Sequence, residues 1–170
     1  MTGSASTSVN AIAPSSAPYV QSSQRNLVLA GLSAEASSLL QMHLREHELR
    51  EGAALWNPGD QVEEVFFPVS GMVSVRVPTK DGHSIEVAAV GREGAAGVHE
   101  GSSIVPVLTQ AVIQIPGRFI GIPAQAFASA VQQSEEIRRM AEVCSGWLLL
   151  QSQQTAACNA VHAADARLCR

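Results

Sequence analysis

The chain is poor in aromatic and in charged residues. Of its 170 residues, 4% are aromatic and 15% are charged. Four phenylalanines, two tryptophans and one tyrosine leave any core mostly aliphatic. There is no basic excess. Eleven Lys and Arg stand against fifteen Asp and Glu, a net charge of -4, so this stretch lacks the electrostatic footprint of a nucleic-acid binder. No apolar run approaches the ~18 residues of a spanning helix, so no membrane segment is expected. The N-terminus has neither a basic region nor an apolar one after it, so no secretory signal is read. Cysteine is scarce: Cys144, Cys158 and Cys169 are odd in number and late, give no disulfide framework, and suit a reducing cytoplasm. What is present is 46% hydrophobic residues, enough for one folded domain with an appendage.

Met1 to Gln24 is mostly Ser, Ala, Thr and Pro and is expected to be a disordered tail. Ser33 is a good N-cap, with Glu35 in the first turn. Leu39, Leu40, Met42 and Leu44 then recur on a helical face through about Arg45. His43 and His47, at i and i+4, sit with Glu46, Glu48 and Glu51 around the end of that expected helix. The spacing can bind a metal, but no third ligand stands near, and a solvated helix face is the reading adopted.

Leu55 to Val90 reads as short strands joined by tight turns. Pro58-Gly59-Asp60 and Ser70-Gly71 break the runs, and Asp81-Gly82 is a hairpin signal. Between them Val62 to Val69 is β-branched and aromatic. Met72 to Val77 alternates, with Val73, Val75 and Val77 on one face and Met72, Ser74 and Arg76 on the other; Ile85 to Val90 returns. Close-spaced short strands argue for an all-β sandwich or barrel. Gly91 to Gly101 then holds four glycines in eleven residues, which calls for unusual backbone angles or a close ligand. Such backbone, with its N–H groups free, makes a phosphate nest.

Leu108 to Ile115 is a further strand, Pro116-Gly117 a turn, and Arg118 to Ile122 the last strand. Pro123 to Ala130 is a short helix with Pro at its first position. Ser134 caps a long helix with Glu135 and Glu136 in its first turn. Ile137, Met140, Ala141, Cys144, Trp147, Leu148 and Gln151 form a stripe, widened by Leu149 and Leu150. One face can pack on the β domain; the other needs a partner, and a second copy of the helix is the economical answer. Gln151, Gln153, Gln154, Thr155 and Asn159 keep the seam from being purely apolar. Cys144 and Cys158, two heptads apart, can line it together as small hydrophobes. Asp165 reads as the cap of a further helix beginning at Ala166.

The order of these features resembles the sensor domain of Crp/Fnr-type bacterial transcription regulators, a cyclic-nucleotide-binding jelly roll. Four motifs carry the resemblance, which runs from about Asn26 to the C-terminus. They are Asn26-x-x-Leu29-x-Gly31-Leu32 before a Ser-capped helix; Leu55-x-x-Pro58-Gly59-Asp60; Phe66-Phe67 followed by Val69-Ser70-Gly71-Met72-Val73-Ser74-Val75; and Val112-Ile113-Gln114-Ile115-Pro116-Gly117-x-x-Ile120-x-Ile122-Pro123 before Phe127. The resemblance implies a mainly β fold with flanking helices: a double-stranded β-helix (jelly roll) over residues 25–133, then a dimerisation helix over 134–164. Residues 165–170 would begin a helix-turn-helix DNA-binding domain whose remainder is absent here.

In that family the glycine-rich loop is a phosphate-binding cassette. A Glu after a Gly takes the ribose hydroxyl, and a later Arg-Ser or Arg-Thr pair takes the cyclic phosphate. Here the Gly falls on Gly97, the Glu becomes Val98, and the pair falls near Val107-Leu108. With Gly94 these are the effector-pocket candidates. No Arg stands between Gly94 and Gly117 to neutralise a phosphate, and Arg92 and Arg118, which flank the region, read as surface charges. A buried, unpaired phosphate would cost several kcal/mol.

The expected function is therefore the sensor and dimerisation portion of a regulator that does no catalysis, carries no cofactor and does not use cAMP. Its partners would be a second copy of the chain and an unknown small-molecule effector, with DNA only if a helix-turn-helix follows. A true cyclic-nucleotide sensor is the first alternative, and a stand-alone dimerisation module another. A cupin-like metal enzyme would need His83, Glu86 and His99 to converge, but there is no His-x-His and His83 falls in a solvent-facing turn.

Overall fold

The computed structural model describes residues 26–99 and 106–161. The expected tail, loop residues 100–105, the expected helix after Asp165 and Cys169 lie outside the described residues. The elements are α1 (Leu27–Ala30), α2 (Ala34–Gln41), β1 (Arg45–Leu49), β2 (Ala54–Trp56), β3 (Glu64–Pro68), β4 (Met72–Pro78), β5 (Ser84–Val90), β6 (Gln110–Ile115), β7 (Gly117–Pro123), α3 (Ala124–Gln133) and α4 (Glu135–Val161). The strands form two antiparallel sheets, ordered β1-β7-β3 and β2-β6-β4-β5. The architecture is a β-roll with flanking helices and a long last helix.

Side-chain alternation along the strands builds two cores on opposite faces of the three-stranded sheet. One face carries Val65, Phe67, Ile120 and Ile122 and packs against helical residues Leu29, Leu40, Phe127, Ile137 and Cys144. The other carries Leu49, Phe66 and Phe119 and meets Trp56, Val73, Val90 and Ile113 of the second sheet. Phe67 and Phe127 pack as a tilted pair with ring centroids 6.1 Å apart. Each such buried ring contributes roughly 1.5–3 kcal/mol over an exposed one.

Three sequence expectations are corrected. The helix from Ser33 ends at Gln41, not near Arg45, and Arg45–Leu49 is a strand paired with Gly117–Gly121. Arg, Glu and Leu favour helix only weakly, and the long-range ladder overrides that preference. His43 and His47 therefore share no helix face. Second, the expected Pro116-Gly117 turn does not close a hairpin: β6 joins β2 and β4, while β7 joins β1 and β3. The chain crosses between sheets at Pro116, which has no N–H to give a ladder. Third, the expected alternation of β4 does not hold: Ser74 is fully buried, and Val77 is exposed opposite Ile85, beyond a bulge that leaves Val87 of β5 unmatched. Pro123 also stands one place earlier than expected, as N-cap of α3, and that helix runs on to Gln133.

Candidate functional site

The glycine loop after β5 is held by its own backbone and by one asparagine. Asn26 is fully buried. Its carboxamide donates to the carbonyls of Pro68 (2.9 Å) and Gly94 (3.1 Å) and accepts from the N–H groups of Val28 and Leu29. It caps α1 and ties that helix to both β3 and the loop.

Three of the loop's backbone donors are engaged within the protein. The Gly91 N–H bonds the Glu93 carboxylate at 2.9 Å, the Gly94 N–H bonds the Gly91 carbonyl at 3.1 Å, and Ala96 exchanges two 2.8 Å bonds with Phe66. The Gly91, Gly94 and Ala96 donors are therefore not open to a phosphate nest, which needs its N–H groups free. Gly97 turns the chain at φ +88°, and a Cβ there would lie 3.1 Å from both the Glu64 carbonyl oxygen and Val62 Cγ1.

The five effector-pocket candidates do not converge. Val98 is buried in the helix-side core, Val107 in the core between the sheets, and Leu108 is 81% exposed, so Leu108 lines no pocket interior. Gly97 approaches Trp56 and Val62. Gly94 borders a cavity between the β-roll and α4. Arg92 is exposed and Arg118 part-exposed.

A polar cluster that the sequence did not reveal sits on the inner face of the three-stranded sheet. His47 Nε2 lies 3.1 Å from Glu64 Oε2, and Arg45 approaches the other oxygen at 3.3 Å. Gly121 between them has no side chain, and a Cβ there would lie 2.6 Å from His47 Nε2. Burial pushes the Glu64 carboxyl up, but His47 and then Arg45 outweigh it and hold the carboxyl below its ordinary value. For the metal-enzyme alternative, His83 is exposed at the hairpin tip, while Glu86 accepts from the Ser74 hydroxyl on the sheet. Among the described residues, no group of three His, Cys, Asp or Glu side chains is placed to hold a metal.

The long helix is clipped to the β-roll at three places on one face. Glu136 accepts from both the N–H (2.8 Å) and the hydroxyl (2.6 Å) of Ser33, which hold its carboxyl below the ordinary range. Burial raises the Cys144 thiol, and the Ala95 N–H on its sulfur partly offsets that. Gln151 Oε1 accepts from the Ala89 N–H at 3.1 Å. The stripe expected to meet a partner is thus divided. Ile137 and Cys144 are buried in this chain's own core, with Met140 and Ala141 packed beside them, and Leu148 packs against the core between the sheets. Cys144 therefore does not share an outward seam with Cys158. Trp147 points out with Val143, Leu149 and Leu150, each more than half exposed. Val143, Trp147, Leu150, Gln154, Ala157 and Val161 recur at alternating four- and three-residue steps, and all are exposed. Among the described residues, no helix is long and apolar enough to cross a membrane.

No protein-family model and no curated protein sequence matches the chain. Solved structures do match. The c-di-GMP responsive global regulator CLP of Xanthomonas campestris aligns at TM-score 0.66 and 15% identity, over 77% of this chain and 66% of that one. The regulatory subunit of a cAMP-independent protein kinase A of Trypanosoma brucei aligns at 0.63 and 18%, over 81% of this chain and 50% of that one. The catabolite activator protein of Thermus thermophilus aligns at 0.62 and 13%, over 78% and 62%. The chain has the fold of cyclic-nucleotide-binding domains, as Crp/Fnr-type regulators do, and it spans half to two thirds of the length of these three proteins.

Proposed function

We propose that the chain is the sensing and dimerising part of a Crp/Fnr-like transcription regulator that performs no catalysis, uses no cofactor and does not respond to cAMP. The observation that carries the reading is the division of α4: one face is clipped to its own β-roll, and the other presents a four-three apolar seam. Such a seam is stabilised by an identical seam, which makes a parallel or antiparallel homodimer the economical arrangement. An effector that alters the packing of the β-roll on α4 would alter the geometry of the pair, and any DNA-reading helices that follow would change spacing with it.

Silence toward cAMP follows from chemistry. The Val98 and Val107 side chains offer no charge or hydrogen bond to a ribose phosphate, and the Gly91, Gly94 and Ala96 amides are engaged. The solved relatives accommodate such divergence, since one is described as cAMP-independent and another as c-di-GMP responsive.

Sedimentation and a thermal melt test the two parts. The chain should sediment as a dimer, and Leu150→Arg, which puts a charge on the seam, should shift it to monomer. A wild-type monomer at tens of micromolar, by order of magnitude, would sink the dimer. Cyclic AMP at 100 times a functional dissociation constant would add about 2.7 kcal/mol, or roughly 5–10 °C. No shift is expected; a shift of that size would establish the cyclic-nucleotide alternative.

A further inference from the structure

The space between α4 and the β-roll is a cavity of about 660 Å³, within the range of small-molecule sites. Val28, Leu32, Val90, Met140, Val143 and Trp147 supply much of its wall. Of the five cassette candidates only Gly94 borders it.

The polar groups of the wall are nearly all engaged within the protein. Gln151 Oε1 takes the Ala89 N–H, Glu93 takes the Gly91 N–H, and Glu136 takes both donors of Ser33, while the Cys144 thiol is buried. Arg139, at the rim, is three-quarters exposed and lies 3.8 Å from Glu135. A charged ligand would leave water for a wall with no free partner of opposite sign inside, and Glu93 and Glu136 against Arg139 leave the rim net negative. An uncharged apolar molecule loses nothing by the transfer. The amide nitrogen of Gln151 remains as a donor for one oxygen.

We propose that this cavity binds a small, uncharged, mainly apolar molecule carrying at most one hydroxyl or carbonyl oxygen, which meets the Gln151 amide. The proposal does not rest on the regulatory reading, and Val143 and Trp147 belong both to this wall and to the outward seam of α4.

The two tryptophans make the test direct. Trp56 is buried between the sheets, and Trp147 lines the cavity. In a Trp56→Phe chain, the neutral fluorophore N-phenyl-1-naphthylamine should bind saturably and accept energy from Trp147. Decanol should displace it, while decanoate and decylammonium at equal concentration should not. Val143→Arg should weaken probe binding tenfold or more. Leu150→Arg, which charges the same seam but is not on the cavity wall, should leave it unchanged. Two outcomes overturn the proposal: displacement by decanoate as readily as by decanol, and equal loss in both variants, which would place the probe on the seam. A far-ultraviolet circular dichroism melt verifies that Val143→Arg is folded, and Gln151→Leu, which keeps the bulk, should weaken decanol more than decane.

Discussion

Replacing Gly97 by alanine tests the geometry of the glycine loop at its tightest point. Two costs add. At φ +88° an L residue is in left-handed backbone, a penalty of about 1–2 kcal/mol. The new Cβ also arrives 3.1 Å from the Glu64 carbonyl oxygen, and β3 cannot retreat because Glu64 is paired with Pro123 of β7. Forcing a methyl into packed surroundings costs about 1–3 kcal/mol. The sum, about 2–5 kcal/mol, lowers the melting temperature by roughly 10 °C in a domain of this size. Gly59 supplies the control. Its φ is +92°, and nothing lies within 4 Å of where a Cβ would stand, so Gly59→Ala carries the backbone penalty alone. Urea titrations of both variants at one temperature give the two free energies, and their difference isolates the contact. If Gly97→Ala costs no more than Gly59→Ala, the loop does not press on β3. If both cost less than about 0.5 kcal/mol, the left-handed turns themselves are refuted.

Two further perturbations address the anchors. Asn26→Ala removes a cap and leaves the carbonyls of Pro68 and Gly94 without their donor, so a loss of about 2–4 kcal/mol is expected by urea titration. Amide exchange at Val28 and Leu29 should quicken with it, and unchanged exchange there would deny Asn26 its role. Glu64 sits below its ordinary value of 4.5, so it contributes stability at neutral pH that is lost as pH falls through its folded value. Glu64→Gln should therefore be less stable than wild type at pH 7, and the two melting curves should converge as pH falls below the ordinary carboxyl range and through the folded value. Parallel curves across that window would mean that the contacts with His47 and Arg45 carry no net free energy.

Much of the β-roll was legible because its signals are local. Pro58-Gly59, Ser70-Gly71 and Asp81-Gly82 punctuate β-branched runs, and Ser134 with two glutamates marks the start of α4. What was hidden depends on distant partners. Arg45–Leu49 is a strand because Gly117–Gly121 lies beside it, and nothing in Arg-Glu-His-Glu-Leu announces that. The apolar stripe of α4 was visible, but a stripe does not say which of two faces meets its own domain; Ile137 and Cys144 are decided by the core they enter. The cassette's departures, Val98 and the missing arginine, were readable residue by residue. The engagement of the Ala96 amide was not, because Phe66 lies thirty residues from Ala96. The His47–Glu64 contact exists only because Gly121, from a third strand, leaves room for it.

The three clips on α4 also set a mechanical ratio. Ten residues separate Gln151, the last clip, from Val161, and at ~1.5 Å per residue the arm beyond it is about 15 Å long. A tilt of about 10° there would swing the far end by about 2.6 Å, roughly half the ~5.4 Å pitch of one helical turn. A small change of angle where Gln151 meets Ala89 is thus a displacement of ångströms at the end of the helix. Whatever the chain joins to Val161 would feel that displacement.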